Sequence, residues 1–305
     1  MQHKSLSGHL TALLTIVIWG TTFISTKVLL QDFSPVEILF TRFVIGFIAL
    51  ILVCPRRMKL ENRKQEWYFI GAGLCGVTFY FLLENIALTY TLASNVGIII
   101  SVAPFFTAIF AHLFLHGERL HARFFIGFAA AIAGIVLISW NGSQLQLSPL
   151  GDLLALLAAV VWGVYSILTR KISEFSQNTV LATRRTFFYG ILFMVPALFL
   201  LDFHPDWGKF LEMQNLGNLL YLGLGASALC FVTWNLAVKK LGAVKTSVYI
   251  YLVPVVTVSA SALILHEPLT PLSLLGAVLA LAGLFISEGT LSRRRKVPFI
   301  RPDET

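Results

Sequence analysis

Charge is what this sequence lacks. Only 12% of its 305 residues are Asp, Glu, Lys or Arg, roughly half the ~25% of a soluble domain. Hydrophobic residues make up 57%, more than a globular core can absorb while polar groups still cover the surface. Long polar segments are missing as well: the charges cluster between apolar runs of about 20 residues, the length that crosses a hydrocarbon core. Together these absences exclude a soluble domain and leave an all-α integral membrane protein that crosses the bilayer many times.

Cysteine is scarce too. Cys54, Cys75 and Cys230 lie in or beside apolar runs, and three scattered thiols make neither a disulfide framework nor a C-x-x-C site. They read as small core residues. No G-x-x-x-x-G-K-[ST] loop occurs, so ATP hydrolysis is not expected. H-E-x-x-H, G-x-S-x-G and an aspartate-rich helix are also absent, which argues against an enzyme. His116 and His266 have no second His or Cys at ligand spacing, so neither a metal nor another cofactor is expected. The net charge of +8 sits in short loops and one tail. A nucleic-acid binder would show a basic stripe on a polar segment instead. A short polar start with Lys4, then an apolar run without a small-x-small cleavage signal, reads as an uncleaved first span.

What is present is a duplication. At a shift of 150, Asn85, Ala87, Ala93, Ile100, Pro104, Thr107 and His116 fall on Asn235, Ala237, Ala243, Ile250, Pro254, Thr257 and His266. At 149, Glu118, Leu120, Gly127, Ala131 and Gly134 meet Glu267, Leu269, Gly276, Ala280 and Gly283. Upstream, at 143, Trp19-Gly20, Lys27 and Arg42 meet Trp162-Gly163, Arg170 and Arg185. The chain therefore divides into a first repeat (1–140), a connecting loop (141–149), a second repeat (150–291) and a basic tail (292–305), and self-similarity of this kind outranks local patterns.

Ten spans are predicted, near 10–30, 35–54, 67–89, 92–115, 121–140, 151–170, 178–201, 216–238, 243–265 and 271–290. With the N-terminus inside, every inner segment carries Lys or Arg while the outer loops hold only Lys209. The positive-inside rule then puts both termini in the cytoplasm. Five spans per repeat is an odd number, so the copies must be inverted, the layout many secondary transporters use around a midplane site.

The order of these motifs in duplicate resembles the drug/metabolite transporter superfamily, in its branch of two EamA-type repeats. The likeness covers about residues 10–290 and rests on Trp19-Gly20 and Trp162-Gly163, on Asn85 before a Pro104-containing helix, and on the Glu118-Arg-Leu and Glu267-Pro-Leu corners. It implies a secondary transporter in the inner membrane that exports amino acids or related small metabolites. Drug export or metabolite import by the same fold, and a lipid-modifying enzyme as the rival from another class, remain open at this point.

Few residues stand out as candidates for function. Trp19, Thr22, Tyr80, Asn85, Ser101, Trp162, Tyr165, Trp234, Asn235 and Tyr251 are polar or amphipathic positions of the first, third and fourth spans of the repeats. They are candidates for substrate binding in an otherwise apolar pocket. Packing explains each of them as well. Ionisable residues inside spans normally face a cavity or a partner, so Lys27, Arg42, Glu84 and Arg185 are candidates for gating or coupling, with Glu84 pairing Lys27 or Arg42. Snorkelling to the interface is the alternative for Lys27, Arg170 and Arg184. Glu84 is the one carboxylate well inside a span, so proton coupling through a membrane carboxylate would depend on it. Pro104 and Pro254 are expected to kink their spans or expose carbonyls, either as hinges or cavity-lining positions or as merely structural kinks. Glu118 and Glu267 read as helix-start residues. The faces Gly127-x-x-x-Ala131-x-x-Gly134 and Gly276-x-x-x-Ala280-x-x-Gly283 suit close helix packing, within one subunit or across a homodimer.

Overall fold

A computed structural model of the chain describes residues 2–90, 93–115, 122–139, 148–176, 178–201, 203–264 and 271–291. The corners with His116, Glu118, His266 and Glu267, the loop 140–147 and the basic tail lie outside the described residues. Every regular element among those described is helical. In chain order they are α1 (Gln2–Leu29), α2 (Pro35–Val53), α3 (Arg63–Tyr90), α4 (Ala93–Ile100), α5 (Ala103–Phe114), α6 (Ala122–Ser139) and α7 (Pro149–Phe175). After them come α8 (Thr179–Leu200), α9 (Trp207–Leu211), α10 (Met213–Leu241), α11 (Ala243–Ser247), α12 (Val253–Ile264) and α13 (Pro271–Leu291). Five stretches, Leu6–Leu29, Pro35–Val53, Arg63–Tyr90, Pro149–Phe175 and Met213–Leu241, are long and apolar enough to cross a membrane. Large apolar side chains such as Leu52, Phe199 and Phe285 point outward, as a fold bathed in hydrocarbon requires. This is an all-α, multi-span membrane fold.

Helix starts follow local chemistry. Ser34 and Glu37 form a reciprocal capping box at α2, with Pro35 in the first turn, which satisfies backbone donors that have no helical partner. Ser148 accepts from the Gly151 N–H at the start of α7, and Asn178 from Leu181 N–H at α8. Helix α10 stops at Gly242, whose φ of 95° a residue with a Cβ rarely adopts.

Helices α3 and α10 share a feature that hydropathy does not show. Each contains a π-helical stretch, Leu74–Phe79 in the first and Tyr221–Leu229 in the second. An i→i+5 segment resets which side chains face the core, and such bulges recur at functional sites. Glycines let neighbours approach there: a Cβ on Gly76 would enter the Tyr165 ring, and one on Gly73 would lie 2.6 Å from Gly190 N.

Pro104 and Pro254 do not kink continuous helices. Helix α4 ends at Ile100, and α5 begins at Ala103, so Pro104 stands in a first turn. In the second half α11 passes through a 3₁₀ stretch, Val248–Leu252, before α12 opens at Val253 with Pro254 second. A proline lacks the N–H that a first turn leaves unused anyway. The predicted spans 92–115 and 243–265 are thus each interrupted, at a proline.

The halves interlock. Helix α1 packs on α10 and α7 packs on α3; α2 lies against the π-helical stretch of α10, and α8 against α3. Each half therefore lays its first two helices on the third helix of the other. The small-residue faces of α6 and α13 meet each other: an added Cβ on Gly134 would sit 2.5 Å from Ala280 N and Gly276 O, and one on Gly283 2.5 Å from Ala131 N and Gly127 O. Of the two uses expected for these faces, the structure shows packing within one chain.

Candidate functional site

Where the helices converge they leave a cavity of ≈ 490 Å³, counting the part open to solvent. Helix α1 lines it with Trp19, Thr22 and Phe23, α2 with Arg42, and α3 with Tyr80, Phe81 and Glu84. Ile100, Ile250 and Val253, the residues at the two interrupted helices, and Trp162 of α7 close it. The wall is apolar and aromatic apart from one guanidinium, one carboxyl and two hydroxyls. Both halves of the chain contribute.

Arg42 is 2% exposed and Glu84 7%. The Arg42 Nε–H donates to Ser227 Oγ at 3.0 Å, and its guanidinium carbon lies 4.6 Å from the centre of the Phe81 ring. Ser227 belongs to the π-helical stretch of α10. Among the described residues Glu84 has no hydrogen bond and no ion pair. It shares the cavity with Arg42 without bonding to it. A buried charge without a partner is expensive, so this arrangement is a polar site set into apolar walls.

Below the cavity the aromatic rings close ranks. Trp162 lies 5.4 Å from Trp19, 4.7 Å from Tyr80, 4.9 Å from Tyr165 and 5.9 Å from Trp234, measured between ring centres. The Trp19 Nε1–H is tied to Ala226 O at 3.0 Å. On the far side of this plug lies a second cavity, ≈ 310 Å³ counting the part open to solvent, lined with Thr169, Ser173, Ser176, Thr179, Thr186, Asn235 and Lys239. The Tyr165 hydroxyl donates to Asn235 Oδ1 at 3.0 Å, and Asn235 Nδ2 donates to Thr183 Oγ1 at 3.0 Å. Asn235 thus joins the plug to the second cavity and α10 to α8. Its counterpart Asn85 makes the matching tie in the first half, from α3 to Pro35 O at 3.3 Å.

Further along, the loop after α2 is fastened to α8. Arg184 donates to the carbonyls of Cys54 and Arg56. Arg185 donates through Nε to Glu66 at 2.7 Å and through a terminal nitrogen to Met58 O at 3.1 Å, and the Tyr189 hydroxyl also bonds Glu66. On the opposite side, Asp32 holds Lys209 at 3.2 Å and Asn215 at 3.0 Å. Those bonds keep the Asp32 carboxyl below the usual carboxylate range.

The structure brings together Trp19, Thr22, Tyr80, Trp162, Arg42 and Glu84 of the residues singled out from the sequence. Tyr165, Trp234 and Asn235 stand in or behind the plug. Ser101, in the turn just after α4, bonds that helix at Gly97 O, and Tyr251 is fully buried near Phe128; neither lines the cavity. Lys27 is exposed and outside it, so the expected Glu84–Lys27 pair is not formed; Arg42 and Glu84 attract each other across the shared cavity without a salt bridge in direct contact. Arg185 takes its carboxylate from Glu66, not from the membrane interior. Sequence reasoning missed Phe23, Phe81, Ile100, Ile250 and Val253 as lining, because apolar positions in a membrane helix carry no individual signal. It also missed Glu66, whose side chain meets a partner 119 residues away.

The chain is similar to known transporters along almost its whole length. A model of the EamA-like transporter family matches it twice, over residues 6–140 and 149–288. A probable amino-acid metabolite efflux pump of Escherichia coli is 30% identical, over 94% of this chain and 96% of its own. A probable terminal-alkyne amino-acid exporter of Streptantibioticus cattleyicolor is 29% identical over 93% and 94%. An uncharacterized transporter of Archaeoglobus fulgidus is 28% identical over 92% and 96%. One crystal structure shares the fold with a TM-score of 0.73, covering 95% of this chain and 98% of that one at 21% identity. Duplicated motifs, helical membrane fold and two family matches agree: the chain is a member of the EamA-like transporter family.

Proposed function

We propose that the protein is a secondary transporter that exports amino acids or related small metabolites across the cytoplasmic membrane by alternating access. In this reading the chain crosses the membrane ten times as two inverted five-helix repeats, 1–140 and 150–291, with both termini cytoplasmic. The observation that carries the proposal is the Arg42–Glu84 cavity, which is built from both halves and set against a second cavity beyond an aromatic plug. Two openings separated by a movable barrier are what alternating access needs. The interlocked packing of first and second helices on the opposite third helix supports a pair of bodies that rock about this site. The helix interruptions before Pro104 and Pro254 lie beside Ile100 and Ile250, which line the cavity, and this supports a hinge role for these positions. The amino-acid cargo is supported by the names of the relatives from Escherichia coli and Streptantibioticus cattleyicolor.

The test is flux in vesicles that contain the purified protein, with a panel of labelled amino acids and with and without an imposed proton gradient. Flux of one class of amino acid supports the reading, and dependence on the gradient adds proton coupling. No flux across the panel refutes the cargo. If protons are coupled through Glu84, the Glu84→Gln variant loses the gradient dependence; a gradient response equal to wild type refutes that role.

A further inference from the structure

Resting on that transport reading, we propose that the cavity selects a zwitterion: Arg42 takes a carboxylate, Glu84 takes an ammonium, and the aromatic wall encloses an uncharged, apolar remainder. Three observations point this way. Arg42 spends its Nε–H on Ser227 and one face on Phe81. Among the described residues its two terminal nitrogens make no hydrogen bond. That free fork is the geometry by which a guanidinium grips a carboxylate with two parallel bonds. Glu84, more than nine-tenths buried, lines the same cavity and is attracted by Arg42 across it, but among the described residues it makes no hydrogen bond or salt bridge. Tyr80 stands one helical turn before Glu84 on the same face, and with Trp19 it puts into the cavity wall aromatic rings of the kind that attract an ammonium.

The two charges restrict what completes the site. A simple anion satisfies Arg42 and leaves Glu84 unpaired, and a simple cation does the reverse. A dicarboxylate meets repulsion at Glu84, and a diamine meets it at Arg42. An α-amino acid carries both groups on one carbon and satisfies both. The remaining wall, Phe23, Ile100, Trp162, Ile250 and Val253, carries no further charge, so the third substituent is neutral.

The test compares L-leucine with L-leucinamide and N-acetyl-L-leucine, and L-phenylalanine with its two matching derivatives, at a pH where the amides stay cationic. Binding to the whole protein is read from the fluorescence of Trp19 and Trp162 in the cavity wall and checked by counterflow in vesicles. Loss of one charge-assisted contact lowers affinity about 10- to 100-fold, so each zwitterion binds that much more tightly than both of its derivatives. Arg42→Gln removes the preference over the amide and keeps the preference over the N-acetyl form, and Glu84→Gln does the opposite. Binding of all three forms within about twofold in the wild type overturns the zwitterion assignment and leaves transport of amino-acid metabolites standing. Failure of every probe to bind or exchange overturns the zwitterion assignment and the amino-acid cargo together. The wild-type comparison holds even where a variant fails to fold.

Discussion

Two Gly→Ala changes should have opposite effects on this protein. At Gly134 the new methyl meets backbone: Ala280 N and Gly276 O lie 2.5 Å from its position, inside the 3.0 Å that real Cβ atoms keep. Neither atom is the end of a flexible side chain, so α6 and α13 must separate, and overpacking of this kind costs about 1–3 kcal/mol. In a bilayer the loss is felt directly, since helices are held there by packing and not by exclusion from water. At Gly217, exposed on α10, nothing lies within 4 Å of the new methyl. The change there removes glycine's helix penalty and stabilises by up to about 1 kcal/mol. Heating each variant in detergent, with the folded fraction read by size exclusion, should place Gly134→Ala several degrees below wild type and Gly217→Ala level with it or above. Equal melting of Gly134→Ala and wild type, with loss of a dimer instead, would refute packing within one chain and assign this face to a partner.

Other consequences are smaller and separable. Asn235→Leu leaves the buried Tyr165 hydroxyl without its 3.0 Å acceptor, which costs about 1–3 kcal/mol; an unchanged melting temperature would show that the tie from plug to second cavity is dispensable. Glu66→Gln removes the charge from the Arg185 and Tyr189 cluster and should speed proteolysis of the segment Pro55–Asn62 relative to the rest of the chain; an unchanged cleavage pattern would mean that the carbonyl bonds of Arg184 suffice. The Asp32 carboxyl is held low by Asn215 and Lys209, so its small contribution is complete at neutral pH and disappears as the pH falls through and below the ordinary value of 3.8. Asp32→Asn should therefore cost a little stability at neutral pH and nothing at the acid end, which flattens stability against pH across that acidic range; a loss just as large at the acid end would contradict the assignment.

Much of the architecture was legible because a membrane imposes its period on the sequence. Apolar runs gave the helices, and the duplication named the paired positions, so that Asn85 and Asn235 make matching ties between helices. The two π-helical stretches were not legible. An i→i+5 turn costs no change in hydropathy, and Gly73, Gly76 and Gly223 reveal themselves only through what they touch. Pro104 and Pro254 were located correctly, but their effect depends on whether a helix is already running when the proline arrives. Residues in the cavity were half visible. Arg42 and Glu84 announced themselves as charges in hydrocarbon, and Trp19 and Trp162 through repetition. Phe23, Phe81 and Val253 look like any other lipid-soluble side chain, and Glu66 looks like a helix-start residue until Arg185 is placed beside it.

The central claim is that the Arg42–Glu84 cavity lies on the route of transport, and blocking it tests this most directly. Thr22 lines the cavity and spends its hydroxyl on Trp19 O within its own helix, so Thr22→Trp fills the space without stripping a partner from another helix. The measurement is counterflow of the amino acids that the wild type carries, paired with a melting curve of the same sample. The account predicts that flux falls at least about tenfold, the effect of roughly 1.4 kcal/mol, while melting stays near wild type. Wild-type flux through a folded Thr22→Trp protein would contradict it and move the route elsewhere.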